Sequence, residues 1–139
     1  MSQWLQVAAI ARIDSLRFNP VSTEEATEKF EAIFGKECSW DSGNFDDAFE
    51  HPESYLPMGS EGSLAMNVWV NPDIHCLDSY TVSIFGSLRD RGEEDAKQII
   101  EWFRNKVSSI ATRNAIIDID SGNSHRIWVY NPDNSPIEK

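Results

Sequence analysis

From Gln3 to Ile13 the chain alternates, with Leu5, Val7, Ala9, Ala11 and Ile13 on one side and Gln6, Ala8, Ile10 and Arg12 on the other. A period of two predicts a strand, and the apolar residues on its second side predict partial cover on both faces. The stretch "VSTEEATEKFEAIFG" changes period: Ala26, Phe30, Ile33 and Phe34 share one face of a helix. Ser22 with Glu25 forms a capping-box pattern, Val21 and Ala26 sit where a hydrophobic staple would, and Gly35 supplies the stop.

Two further strands follow at Leu64 to Asn71 and Tyr80 to Leu88. "DRGEEDAKQIIEWFRNKVSSI" predicts the longest helix, with Asp90 and Glu93 as its capping box and Ala96, Ile99, Ile100, Phe103, Val107 and Ile110 as its apolar stripe. "AIIDID-SGNS-HRIWVYN" then predicts a hairpin around a Gly-containing turn. Between the helices, residues 40–63 carry six carboxylates and no Lys or Arg. This acidic stretch predicts a long loop, and its Trp40, Phe45, Phe49 and Tyr55 argue that it is ordered.

The element order is that of an α+β, ferredoxin-like split βαβ fold: β-α-β-β-α-β plus an extra C-terminal hairpin strand. Right-handed crossovers would place the two helices on one face of an antiparallel sheet. The first and third strands are expected to be central, adjacent and parallel. Two echoes suggest a two-halved plan: "SLR" recurs at Ser15 to Arg17 and Ser87 to Arg89, and "VWVNPD" at Val68 returns as "IWVYNPD" at Ile127. In each half, Asn-Pro-Asp is expected to stop the closing strand, because proline lacks a ladder donor.

At 139 residues the chain fits a single domain spanning 1–139, with 40% hydrophobic residues and 11% aromatics excluding wholesale disorder. Its 23 acidic against 12 basic residues leave a net charge of -11. That charge disfavours direct nucleic-acid and membrane binding and favours a partner protein with a basic surface. Cys38 and Cys76 lack metal or redox spacing, and no apolar run is long enough to span a bilayer, so a cytoplasmic location is expected.

Two surfaces stand out as candidate sites. With Leu64, Met66, Val68, Val70, Tyr80, Val82, Ile84, Ile127 and Val129 assigned to the helix side, alternation sends Trp69, Phe85, Trp128 and Tyr130 to the opposite face, joined by Trp4. Such a face needs cover, from the acidic loop with Asp46, Asp47, Glu50 and Glu53, from a second copy in a homodimer, or from a partner. The second surface is a strand-end corner where Ser15, Arg17, Ser87, Arg89 and Arg91 would converge on an anionic ligand such as a small phosphorylated nucleotide, unless both arginines pair with Asp14, Glu24, Asp90 or Glu94.

Catalytic signatures are absent: the sequence contains no phosphate-binding P-loop, dinucleotide fingerprint or nucleophile elbow. Asp118 and Asp120 share one strand face but lead into a Gly turn, and His51, His75 and His125 are scattered, so neither metal nor cofactor is expected. The segments "MSQWLQVAAIARIDSLRF" and "YTVSIFGSLRDRGEEDAKQIIEWFRNKV" resemble small, mostly uncharacterised proteins of phages and mobile elements. That resemblance implies a counter-defence factor that binds a host effector or takes up its nucleotide signal. The expected function is therefore a non-catalytic inhibitor acting through an acidic, aromatic surface, with a nucleotide sponge or an enzyme as the alternative.

Overall fold

Alternation in the first segment becomes the middle of a sheet because its two sides differ in what they can bury. The computed structural model describes residues 3–14, 22–38, 45–60, 62–71 and 79–131. Its elements are β1 (Trp4–Asp14), α1 (Thr23–Phe34), α2 (Phe45–Glu50), a 3-10 turn (Pro52–Ser54), β2 (Leu64–Val70), β3 (Ser79–Arg89), α3 (Glu93–Ser108), β4 (Thr112–Asp120) and β5 (His125–Tyr130). The five strands form one sheet in the order β2-β3-β1-β4-β5, and every pairing is antiparallel.

Leu5, Val7, Ala9, Ala11 and Ile13 of β1 are buried together with Ala26, Phe30 and Phe34 of α1 and Ala96, Ile99, Phe103 and Val107 of α3. Both helices thus cover one face of the sheet. Phe30 meets Tyr80 edge-on at 5.2 Å, Phe34 stacks on Phe103 at 6.4 Å, and Phe103 meets Trp128 edge-on at 6.1 Å. Of these, Phe30, Phe34, Phe103 and Tyr80 are fully buried, each contributing on the order of 1.5–3 kcal/mol of transfer free energy, which is what holds the helices down.

The expectation that β1 and β3 run parallel is overturned. They are central and adjacent, but antiparallel, with Trp4 opposite Arg89 and Asp14 opposite Ser79. The reason lies in the element order itself. The crossover through α1 leaves β1 and β2 parallel, the β2–β3 ladder is antiparallel, and β3 must then oppose β1. Their C-terminal ends are separated by the length of ten residue steps, roughly 33 Å.

Caps follow the sequence in one helix and depart from it in the other. Ser22 Oγ accepts from the Glu25 N–H at 3.1 Å, as expected for α1; Val21 lies outside the described residues. For α3 the start falls two residues later than the Asp90 capping box. Asp90 adopts a left-handed backbone with φ 61° and its N–H binds Gln3 O, so it belongs to the turn. Gly92 becomes the cap, and its N–H donates to the Asp95 carboxylate at 2.9 Å. That hydrogen bond, aided by Arg91 against the opposing effect of desolvation, holds the Asp95 carboxyl below its ordinary range.

Within its described residues 45–60 the acidic stretch contains a helix the pattern did not show. Cys38, Ala48 and Tyr55 form a small second cluster, and a parallel bridge joins Lys36 to Tyr55. Gly35 makes this approach feasible: at φ 125° it turns the chain out of α1, and a Cβ there would stand 2.5 Å from the Tyr55 carbonyl carbon. Tyr55 donates its hydroxyl hydrogen bond to Asp47, which together with burial and the Asp47 charge pushes the phenol up to about 12. Burial also raises the Cys38 thiol. Trp40 and Cys76 lie outside the described residues.

The repeated Trp-Val stretches fall on the two edge strands, β2 and β5, rather than on equivalent strands of two halves. The strand that follows α3 is β4, and "IWVY" belongs to β5, the strand after it. "SLR" at Ser87 to Arg89 forms the last three residues of β3, at the end of that strand as expected.

Candidate binding surfaces

Register decides which side chains meet on the face opposite the helices. Ala8 of β1 lies between Phe85 of β3 and Asp118 of β4, and Ile127 of β5 lies beyond Asp118. One row on, Ile10 lies between Ser83 and Ile116, with Val129 beyond Ile116. Trp69 extends the face on β2 opposite Thr81, and Trp4 sits at its far end. Exposure confirms the direction: Trp69 is 55% exposed, Phe85 46%, Ile127 55% and Val129 58%, and Trp4, Ile10 and Ile116 are also exposed. Ile10, Arg12, Ile116 and Val129 border a shallow depression of about 290 Å³ on this face.

Trp69 and Phe85 are therefore where alternation placed them, whereas Trp128 and Tyr130 are not. Trp128 pairs in register with Ile117, which is fully buried, and it packs on Phe103 beneath the helices; the Tyr130 ring lies beside it, tilted, at 5.9 Å. Ile127 and Val129, expected inside, occupy the outer face instead. The run Ile-Trp-Val-Tyr is apolar at every position, so its own pattern cannot choose a side. The signal was available across the turn: pairing Asp120 with His125 around "SGNS" puts Trp128 opposite Ile117.

The acidic residues belong to a different surface. The segment carrying Asp46, Asp47, Glu50 and Glu53 packs beside the end of α1 and along α3, on the helix side of the sheet. Asp46, Asp47 and Glu50 are exposed, Asp47 accepts from Tyr55, and Glu53 pairs with His51 at 3.5 Å. The aromatic face and the acidic segment are thus separate, so the single acidic, aromatic surface expected from the sequence divides in two.

The parallel strands on which the expected corner rested are antiparallel. Ser15 and Arg17 lie outside the described residues, and Arg89 lies at the opposite end of the sheet from Asp14. Ser87 donates to Gln6 at 2.6 Å, and Asp14 pairs with Arg113 at 3.0 Å. Arg91 donates through Nε to Met58 O at 2.7 Å and through Nη1 to Asp95 at 3.1 Å.

Between that arginine and the far end of α3 runs an open cleft of about 300 Å³, walled by Pro52, Tyr55 and Pro57 on one side and by Gln98, Trp102 and Lys106 on the other. Gln98 and Trp102 flank the apolar stripe of α3 instead of lying on it, and Lys106 stands out in the sequence only as a cation near the negative end of the helix dipole. Their spacing of four residues was the available signal.

The Asp118 and Asp120 pair serves the hairpin. Asp118 binds His125 Nε2 at 2.8 Å and Asp120 accepts the Gly122 N–H at 2.8 Å. The Asp118 hydrogen bond and charge raise the His125 imidazole above its ordinary value of 6.5. Among the described residues no three His, Cys, Asp or Glu side chains gather as a metal site, and no helix is long and apolar enough to cross a membrane. Compared with known proteins, the chain matches no family model, no curated protein and no solved structure.

Proposed function

We propose that the chain is a non-catalytic binding protein that docks a basic protein partner on its outer sheet face. The carrying observation is that face: Trp4, Ile10, Trp69, Phe85, Ile116, Ile127 and Val129 stand exposed on the side no described helix covers. Soluble proteins rarely leave contiguous apolar area of this kind without a use. Aromatic anchors set among neutral contacts are the usual centre of a protein interface. The net charge of -11 selects a basic partner and speeds its encounter, while repelling nucleic acid.

In this reading the protein is a cytoplasmic inhibitor of a nucleic-acid-processing or defence protein, of the kind phages and mobile elements encode. The scaffold is read as ferredoxin-like with an added edge strand, a reading supported by the β2-β3-β1-β4 order and by helices that each join parallel strands separated by one other strand. Affinity capture from a host lysate, repeated with Ile127→Glu and with Asp46→Lys, tests the proposal. The expected result is one basic protein, lost with Ile127→Glu and retained, with slower and less salt-sensitive association, with Asp46→Lys. A partner retained by Ile127→Glu, or no partner, overturns it.

A further inference from the structure

We propose that the cleft along α3 is a binding site for a nucleoside monophosphate, on the helix side and independent of the outer face. Gln98, Trp102 and Lys106 recur at four-residue intervals, so their side chains form one stripe along the cleft wall. Trp102 is half-buried and held by Phe34 at 6.3 Å in a near-perpendicular contact, which leaves a fixed indole as the platform for a planar ring. One turn on, the Lys106 ammonium carries no ion pair among the described residues, although the chain as a whole is strongly acidic.

At the other end the Arg91 guanidinium is locked by Met58 O and Asp95, and its Nη2 makes no hydrogen bond with the described residues. The lining therefore offers two cations against Glu53, which already has His51 as a partner. Charge complementarity calls for an anion at Lys106. The Gln98 side-chain amide supplies both the acceptor and the donor that the edge of an amino-bearing base uses, and a simple aromatic acid would leave them unspent. A cleft of about 300 Å³ lies at the small end of the range for small-molecule sites, the scale of a single nucleotide.

The experiment is calorimetry on the full chain with AMP and GMP, alongside adenosine and inorganic phosphate, followed by amide NMR mapping. Binding of AMP or GMP is expected, with affinity falling about tenfold or more when the phosphate is removed or when Lys106→Gln deletes the charge. Shifts should concentrate on residues 52–58 and on Gln98 to Lys106. Trp102→Leu should abolish binding, but Trp102 also packs on the core, so Lys106→Gln, at a residue outside that core, is the decisive variant. No binding of either nucleotide at millimolar concentration, equal binding by Lys106→Gln, or shifts centred elsewhere would overturn the site.

Discussion

The two faces of the sheet use the same alternation to opposite ends. On the helix side Leu5, Val7, Ile84, Ile117 and Ile119 are buried in one cluster with α1 and α3, whereas Ile10, Phe85, Ile116, Ile127 and Val129 face outward. The residue types hardly differ. What differs is the cover, and so an isoleucine in β4 holds the fold at position 117 and is spare at position 116. Hydrophobicity read along a strand reports that a side can be buried; only the packing of the neighbouring elements decides whether it is.

The largest effect that sharpens this contrast is truncation. Ile117→Ala should destabilise by about 2–5 kcal/mol and Phe30→Ala by about 3–5 kcal/mol, whereas Ile116→Ala and Phe85→Ala should stay within about 0.5 kcal/mol. Urea denaturation with a constant m value checks all four. Losses as large at Ile116 and Phe85 as at Ile117 and Phe30 would break the distinction between the faces.

A smaller effect tests how the acidic segment is tied to the helix side. Gly35→Ala forces a Cβ to within 2.5 Å of the Tyr55 backbone at a positive φ, and should cost about 1–3 kcal/mol. Hydrogen exchange should quicken at the Leu56 N–H, which donates to Lys36 O, while the amides of β4 and β5 keep their protection. Uniform loosening of the sheet would instead mean that this bridge belongs to the main core.

The smallest effect reads the outer face through its own titration. The folded His125 imidazole titrates above 6.5, so its pairing with Asp118 stabilises the fold below the unfolded value and is lost as pH rises through the raised folded value. In an NMR titration Asp118→Asn should bring His125 back toward 6.5. An unchanged midpoint would show that Asp118 does not point at His125 on this face.

Much of the fold was legible because several signals agreed. The period in β1, the Ser22 cap, the α3 stripe and the turn at "SGNS" each point to the element that forms. Helix α2 was not legible, because six residues with two adjacent aspartates show no stripe and are held by Ala48 and Tyr55 against Cys38. The antiparallel β1–β3 pairing was implied by the element order but masked by the matching "SLR" fragments. The candidate sites were less legible still. Trp69 and Phe85 could be placed by alternation, but Ile127 and Val129 required the register with β4, and the α3 cleft required a segment from another part of the chain to build its second wall.

The most direct measurement of the central claim is solvent paramagnetic relaxation on Ile and Val methyl groups in the free protein, repeated with the captured partner. The methyls of Ile10, Ile116, Ile127 and Val129 should broaden strongly while those of Val7, Ile84, Ile117 and Ile119 do not, and partner binding should protect the first set alone. Ile127 and Val129 protected in the free protein, or still fully exposed with the partner bound, would contradict an open outer face that serves for docking.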